Sequence, residues 1–282
     1  MLDSKSYGLQ NETRQYLRRL YSNGRELDGT DIADIDNFIA GLKQLNLWQN
    51  IVCWPMRRRH NIGTGSKVLS LGGIGTYDGT MTNSPSWDDM GILFDGTARY
   101  IEMANPLKPT IYCAGLTMFA IFDSDVTIAT QGVVIGSNGT GASNTLGPAI
   151  YVSASPAQGT SLTAVYPDFS INGATISILF SSGSGNTRVM ETFCAGFIGN
   201  TGIQFFEYNN TTRGTSSSIG SNTVWNNNPT WRIGARNSPA AGGYFLGTIP
   251  FCLLANRPIT RTEYESLRDL HKTTIGKGLG LP

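Results

Sequence analysis

From about residue 91 to residue 254 the chain is cut into short apolar or alternating runs by Gly, Asn, Ser and Pro at intervals of roughly ten residues, the rhythm of a sandwich or barrel of antiparallel strands. Tyr100-Ile101-Glu102-Met103 alternates apolar and polar, as a strand covered on one face does. Residues 116–122 form a nearly continuous apolar run, the pattern of a central strand covered on both faces. Further runs are expected at 132–135, 149–152, 161–166, 175–180, 188–197, 203–208, 230–235 and 244–254. Between Val126 and Thr187 the only charged residue is Asp168, so hydroxyls and amides must keep that stretch in water.

Helical signals flank this tract. Residues 11–22 carry Tyr16, Leu17, Leu20 and Tyr21 at helical spacing, and Asn23-Gly24 supplies a stop. A second helix is expected to start at Thr30 as N-cap, with Asp31 and Asp34 in the first turn complementing the dipole. Ile32, Ile35, Phe38, Ile39, Leu42 and Leu45 form its apolar stripe. Near the other end, Thr260-Arg261-Thr262-Glu263 has the form of a capping box that opens a short helix. The expected fold is therefore mainly β: an antiparallel β-sandwich with a small two-helix N-terminal segment and a short C-terminal helix. Its expected divisions are a helical segment at 1–46, a bridging strand and loop region at 47–87, a sandwich at 88–272 and a Gly-rich tail at 273–282.

Charge and cysteine usage exclude several classes. The formal net charge is +1, so no field of one sign points to nucleic acid, and no apolar run is long enough for a membrane span. The basic run Arg57-Arg58-Arg59-His60 lacks an aromatic platform and reads as a solvated loop or a subunit contact. No apolar signal-peptide core follows Met1, so synthesis in a cytoplasm is expected. Cys53, Cys113, Cys194 and Cys252 are too widely spaced for a zinc motif and are expected to be free buried thiols. The glycines of residues 70–80 meet neither a P-loop nor a dinucleotide pattern, and a turn-rich excursion is expected there.

Catalytic patterns are missing. His60 and His271 stand in no nucleophile motif, and no strand carries the opposed acids that glycosidases need. Asp28, Asp31, Asp34 and Asp36 do not fit an EF-hand loop. Candidate sugar contacts are Trp225, Asn226 and Asn227 and Tyr208 and Asn209, because rings stack on sugar faces while amides bond hydroxyls; the competing reading packs Trp225 in the sandwich and puts the asparagines in turns.

Three segments together resemble the laminin-G-like or concanavalin-A-like jelly roll. They are Ile92-Leu93-Phe94-Asp95-Gly96 leading to Tyr100-Ile101, the run at 116–122, and Trp231-Arg232-Ile233-Gly234 followed by Tyr244-Phe245-Leu246-Gly247-Thr248-Ile249 and the terminal helix. The resemblance implies a jelly roll and offers Asp88, Asp89, Asp95 and Asn138 as oxygens for a calcium ion, while no other cofactor is expected. Two helices such as Glu12-Thr13-Arg14-Gln15-Tyr16-Leu17 and Asp34-Ile35-Asp36-Asn37-Phe38-Ile39, joined to a jelly roll through a Trp-containing strand, resemble structural proteins of tailed bacteriophages. That resemblance implies a non-catalytic structural protein on the outside of a phage virion, as capsid decoration or in a fibre or tail. It would be a homo-oligomer that contacts other virion proteins through Trp48, Trp54, Arg57, Arg58 and Arg59. The alternatives are a glycan-binding receptor module of a fibre or tail and, third, a polysaccharide hydrolase.

Overall fold

The computed structural model describes residues 8–104, 116–124, 132–136, 148–154, 163–171, 174–177, 180–181, 191–198, 202–208, 211–214, 231–235 and 243–281. Numbered in chain order, the strands of the first sheet are β1 (Ile51–Pro55), β4 (Ser86–Trp87), β5 (Ile92–Asp95), β7 (Leu116–Ser124), β13 (Glu191–Ile198), β14 (Gly202–Tyr208), β15 (Thr211–Gly214) and β17 (Leu246–Ala255). They lie in the order β15-β14-β13-β7-β17-β5-β4, with β1 also paired to β17. The second sheet holds β2 (Lys67–Val68), β3 (Gly79–Thr82), β6 (Tyr100–Met103), β8 (Gly132–Gly136), β9 (Pro148–Ala154), β10 (Thr163–Ile171), β11 (Ala174–Ser177), β12 (Phe180–Ser181) and β16 (Arg232–Ile233). Its order is β11-β10-β9-β8-β16-β6-β3-β2, with β12 on β10. All these pairings are antiparallel, and the mainly β sandwich expected from the sequence is the fold observed.

Strand β7 shows why its sequence is apolar throughout. One parity of its side chains faces into the sandwich, where Phe122 meets Phe245 edge to face at 6.1 Å. The other parity faces a helical layer, where Phe119 lies 5.9 Å from Tyr264 and 5.9 Å from Phe251. Helices α1 (Asn11–Ser22), α2 (Gly29–Gln44) and α3 (Arg261–Thr273) form that layer. Phe38 of α2 packs on Phe251 of β17 at 5.7 Å, so helices and sheet share one core. Strand β6 buries Ile101 and Met103 and turns Tyr100 and Glu102 outward, the alternation of a sheet with one wet face. Pro250 falls at a register shift of β17, between the stretch paired with β5 and the stretch paired with β1. A bulge tolerates its missing N–H there.

Several local expectations are corrected. Helix α2 starts two residues earlier than expected: Asp28, not Thr30, is the N-cap, and its carboxylate accepts from the Asp31 N–H. Residues Trp48–Asn50 are a 3-10 turn, and the strand begins only at Ile51. The segment 47–87 supplies β1 to β4 to both sheets. The Gly-rich end is no loose arm, because Ile275, Leu279 and Leu281 are buried against the core. The capping box at Thr260 and Glu263 is present, and α1 has the bounds expected for it.

Candidate functional site

A cleft of about 260 Å³ opens between α1, the Trp48 turn and the glycine-rich loop that follows Ser70. Asn11, Gln15 and Arg19 recur every four residues, so they line one face of α1 and point into the same space. Trp48, half-buried, also lines the space. The floor is the loop with Gly72, Gly73, Gly75 and Thr76. This loop needs glycine because it lies directly on backbone: a Cβ on Gly72 would stand 2.3 Å from the Ile51 carbonyl oxygen, and one on Gly73 2.5 Å from that of Trp48.

Each of the two charged side chains of the cleft has a partner. Glu12 accepts from the Lys43 ammonium, which also donates to Gln10 Oε1 at 3.0 Å. Partial burial pushes the Glu12 carboxyl up, but the Lys43 hydrogen bond and charge outweigh it and hold the group below its ordinary range. Arg19 pairs with Asp78 and donates to the Ser70 carbonyl at 3.0 Å. Asp78 in turn accepts from the Ser70 N–H at 3.0 Å. The cleft thus offers one aromatic face, two amides, a hydroxyl and loop backbone, with no charge left to be matched.

The residues expected to carry function are placed as follows. Trp48 lines the cleft. Trp54 is wholly buried, its indole N–H donating to the Tyr77 carbonyl at 2.8 Å, so it cannot dock a partner. Arg57 is likewise spent inside the molecule on the carbonyls of Asp89, Ile275 and Lys277 at 2.6 to 2.9 Å. Arg59 is tied to Asp31 at 2.6 Å, and Arg58 donates to the Trp87 carbonyl at 3.0 Å. The basic run is therefore an internal clamp between helices, sheet and C-terminal segment, and the docking role expected for Trp54 and Arg57 is withdrawn. Asn209, Trp225, Asn226 and Asn227 lie outside the described residues. Tyr208 closes β14, and only its backbone is described.

The expected calcium ligands do not converge. Asp95 folds back on its own turn, where the N–H groups of Thr97, Ala98 and Arg99 bind it. Burial pushes this carboxyl up, and those backbone donors override it, leaving a pKa of about 2. Asp88 accepts from the Met90 N–H at 3.0 Å, both Asp88 and Asp89 are exposed, and Asn138 lies outside the described residues. Among the described residues the cluster whose atoms lie close enough to share an ion is Asp31, Asp34 and His60, all buried. Reading Asp31 and Asp34 as dipole-complementing acids missed this. The one signal available was their i, i+3 spacing, which puts both on one helix face.

No family model matches the chain, and no curated protein matches it. Solved structures share its fold. A mutant of HCR/D superimposes with a TM-score of 0.57 at 9% identity, over 79% of this chain and 52% of that one. The Trypanosoma rangeli sialidase in complex with sialic acid gives 0.56 at 13% identity, over 79% of this chain and 33% of that one. The CBM40 of the Ruminococcus gnavus IT-sialidase gives 0.45 at 11%, over 57% of this chain and 84% of that one. The chain thus spans about half of the first of these chains and a third of the second. Among the described residues no helix is long and apolar enough to cross a membrane.

Proposed function

We propose that this chain is a non-catalytic carbohydrate-binding module that holds a single uncharged sugar ring in the cleft between α1 and the glycine-rich loop. The observation that carries the reading is the cleft's make-up: the half-buried Trp48 and the amides of Asn11 and Gln15 line one cleft while Glu12 and Arg19 are already ion-paired. A pyranose has apolar C–H faces and an equator of hydroxyls, so it takes a ring on one side and amides at its edge. A charged ligand would have to compete with an existing ion pair. The volume of about 260 Å³ lies below the roughly 300–1,000 Å³ of drug-sized pockets, which suits one ring and not a long chain.

The test is saturation-transfer NMR of the native chain with a panel of neutral and acidic monosaccharides. A neutral sugar should show transfer, and Trp48→Ala should weaken it about fivefold, one stacked ring being worth on the order of 1 kcal/mol. Silence across the panel, or binding indifferent to both Trp48→Ala and Gln15→Ala, would refute the reading. Turnover of any polysaccharide would replace it by the hydrolase.

A second reading is the structural protein on the outside of a phage virion, synthesised in the bacterial host cytoplasm, homo-oligomeric and in contact with capsid or tail subunits. Its support is the arrangement that prompted it: α1 and α2 lead through Trp48 into β1, which pairs with β17 of the first sheet. Antibody labelling of purified particles decides it, and unlabelled particles remove it.

A further inference from the structure

We propose that Asp31, Asp34 and His60 form a binding site for a divalent transition-metal ion of the zinc class, closed in the metal-free chain by the side chain of Lys277. The two carboxylates and the imidazole present ligand atoms that all lie within 4.8 Å of one another. Asp31 and Asp34 stand on one face near the start of α2, and His60 ends the 3-10 turn of the basic run, so two separate elements converge here.

The imidazole is the observation that points to a ligand. His60 is 1% exposed, yet neither ring nitrogen has a hydrogen-bond partner among the described residues. A buried polar atom normally finds a partner, and an exception calls for an explanation, a bound ion being one. Its Nε2 is 3.8 Å from Asp31 Oδ1. That is too long for a hydrogen bond. It approaches the spacing of two atoms bound to one ion at roughly 2.0–2.2 Å each.

The chemistry of the donors selects the metal. One imidazole nitrogen and two carboxylates make an N/O set that suits zinc and its neighbours, with a water completing four-coordination. Calcium takes six to eight oxygens, which this site does not have. A metal binds the neutral form of the imidazole.

Lys277 occupies the place of the cation. Its ammonium is paired to Asp34, whose side chain is 3% exposed, while the lysine side chain is 52% exposed. A long stem with its outer part in water can swing out and leave Asp34 to a dication. Arg59 can stay on Asp31, because a carboxylate has lone pairs enough for both partners. Uptake of the ion therefore trades one monocation for one dication beside two carboxylates, and releases the tie that Lys277 makes from the C-terminal segment to α2.

The experiment uses the full chain stripped with chelator and titrated with zinc chloride alone by calorimetry at neutral pH. One equivalent should bind. Asp34→Asn and His60→Ala should each weaken it at least about 100-fold, since even outer-shell partners are worth 10- to 100-fold. Lys277→Ala removes the competing cation on an exposed side chain and should tighten zinc about tenfold, the worth of one modest charge interaction. Cobalt bound to the native chain should show the visible bands of a four- or five-coordinate N/O site. No uptake, equal heat from calcium, or zinc affinity unchanged in both Asp34→Asn and His60→Ala overturns the proposal. If either variant loses the native far-UV spectrum, Lys277→Ala and cobalt decide: unchanged affinity and no bands also overturn it.

Discussion

Single side chains hold the junction between the layers. Asn61 is fully buried and uses both ends of its amide. Its nitrogen donates to the carbonyls of Pro55 at 2.8 Å and Leu69 at 2.9 Å, and its oxygen accepts from the N–H groups of Ile62 and Leu69. Asn61→Ala would leave several interior backbone groups unpaired and should cost about 2–4 kcal/mol, since each orphaned group costs roughly 1–3; urea unfolding measures it. His271 is wholly buried against Phe251, with ring centroids 4.6 Å apart. Burial first, and then the charges of His60 and Arg57, lower its pKa from 6.5 to about 3. The sign follows from linkage. As pH falls below 6.5 the unfolded chain takes up a proton that the folded chain refuses, so stability drops until the folded group titrates near 3. Each such histidine contributes up to about 1.4 kcal/mol per pH unit. Melting curves between about pH 7 and pH 5, above the carboxylate range, should therefore slope downward with acid, and His271→Gln should reduce the slope by up to one proton. A flat profile would show that neither His60 nor His271 is held neutral.

At the scale of elements, the C-terminal segment after α3 is a structural part and not an appendage. Its buried Ile275, Leu279 and Leu281 cover the core, and its carbonyls at Ile275 and Lys277 hold the Arg57 guanidinium. A chain ending at Thr273 should lose more than about 4 kcal/mol, from two or more buried aliphatic side chains at roughly 1.5–3 kcal/mol each, and its midpoint in urea reads that loss. Helix α3 is a milder case. Thr260→Ala removes one half of the capping box and should cost about 1 kcal/mol. The capping pair was legible because Ser/Thr and Glu three apart form a local device. The burial of 274–281 was not, because Gly-rich composition says nothing of what a segment lies against.

For the molecule as a whole, the helical layer and the first sheet share a continuous core through Phe38, Phe251, Phe119 and Tyr264. They should therefore unfold together. Tryptophan fluorescence and the helical far-UV signal should give coincident transitions, as a two-state unit does. Separate midpoints would show that the helices are an independent module. The cleft belongs to this scale, since it exists only where α1, the Trp48 turn and the loop beyond Ser70 are brought to one place.

By itself, the sequence determined what repeats locally: the strand rhythm, the apolar run of β7, the bounds of α1, the stripe of α2 and the capping box of α3. Those signals survive in one dimension because strand and helix periods act between near neighbours. The tertiary structure decided which polar residues turn inward. Asp31, Asp34, Arg57, His60, Asn61 and His271 look like surface residues when read along the chain, and each is buried. The partners of Arg57 and Asp34 lie as far away as residue 277, and such charged side chains enter a core where the rest of the fold supplies their hydrogen bonds and countercharges.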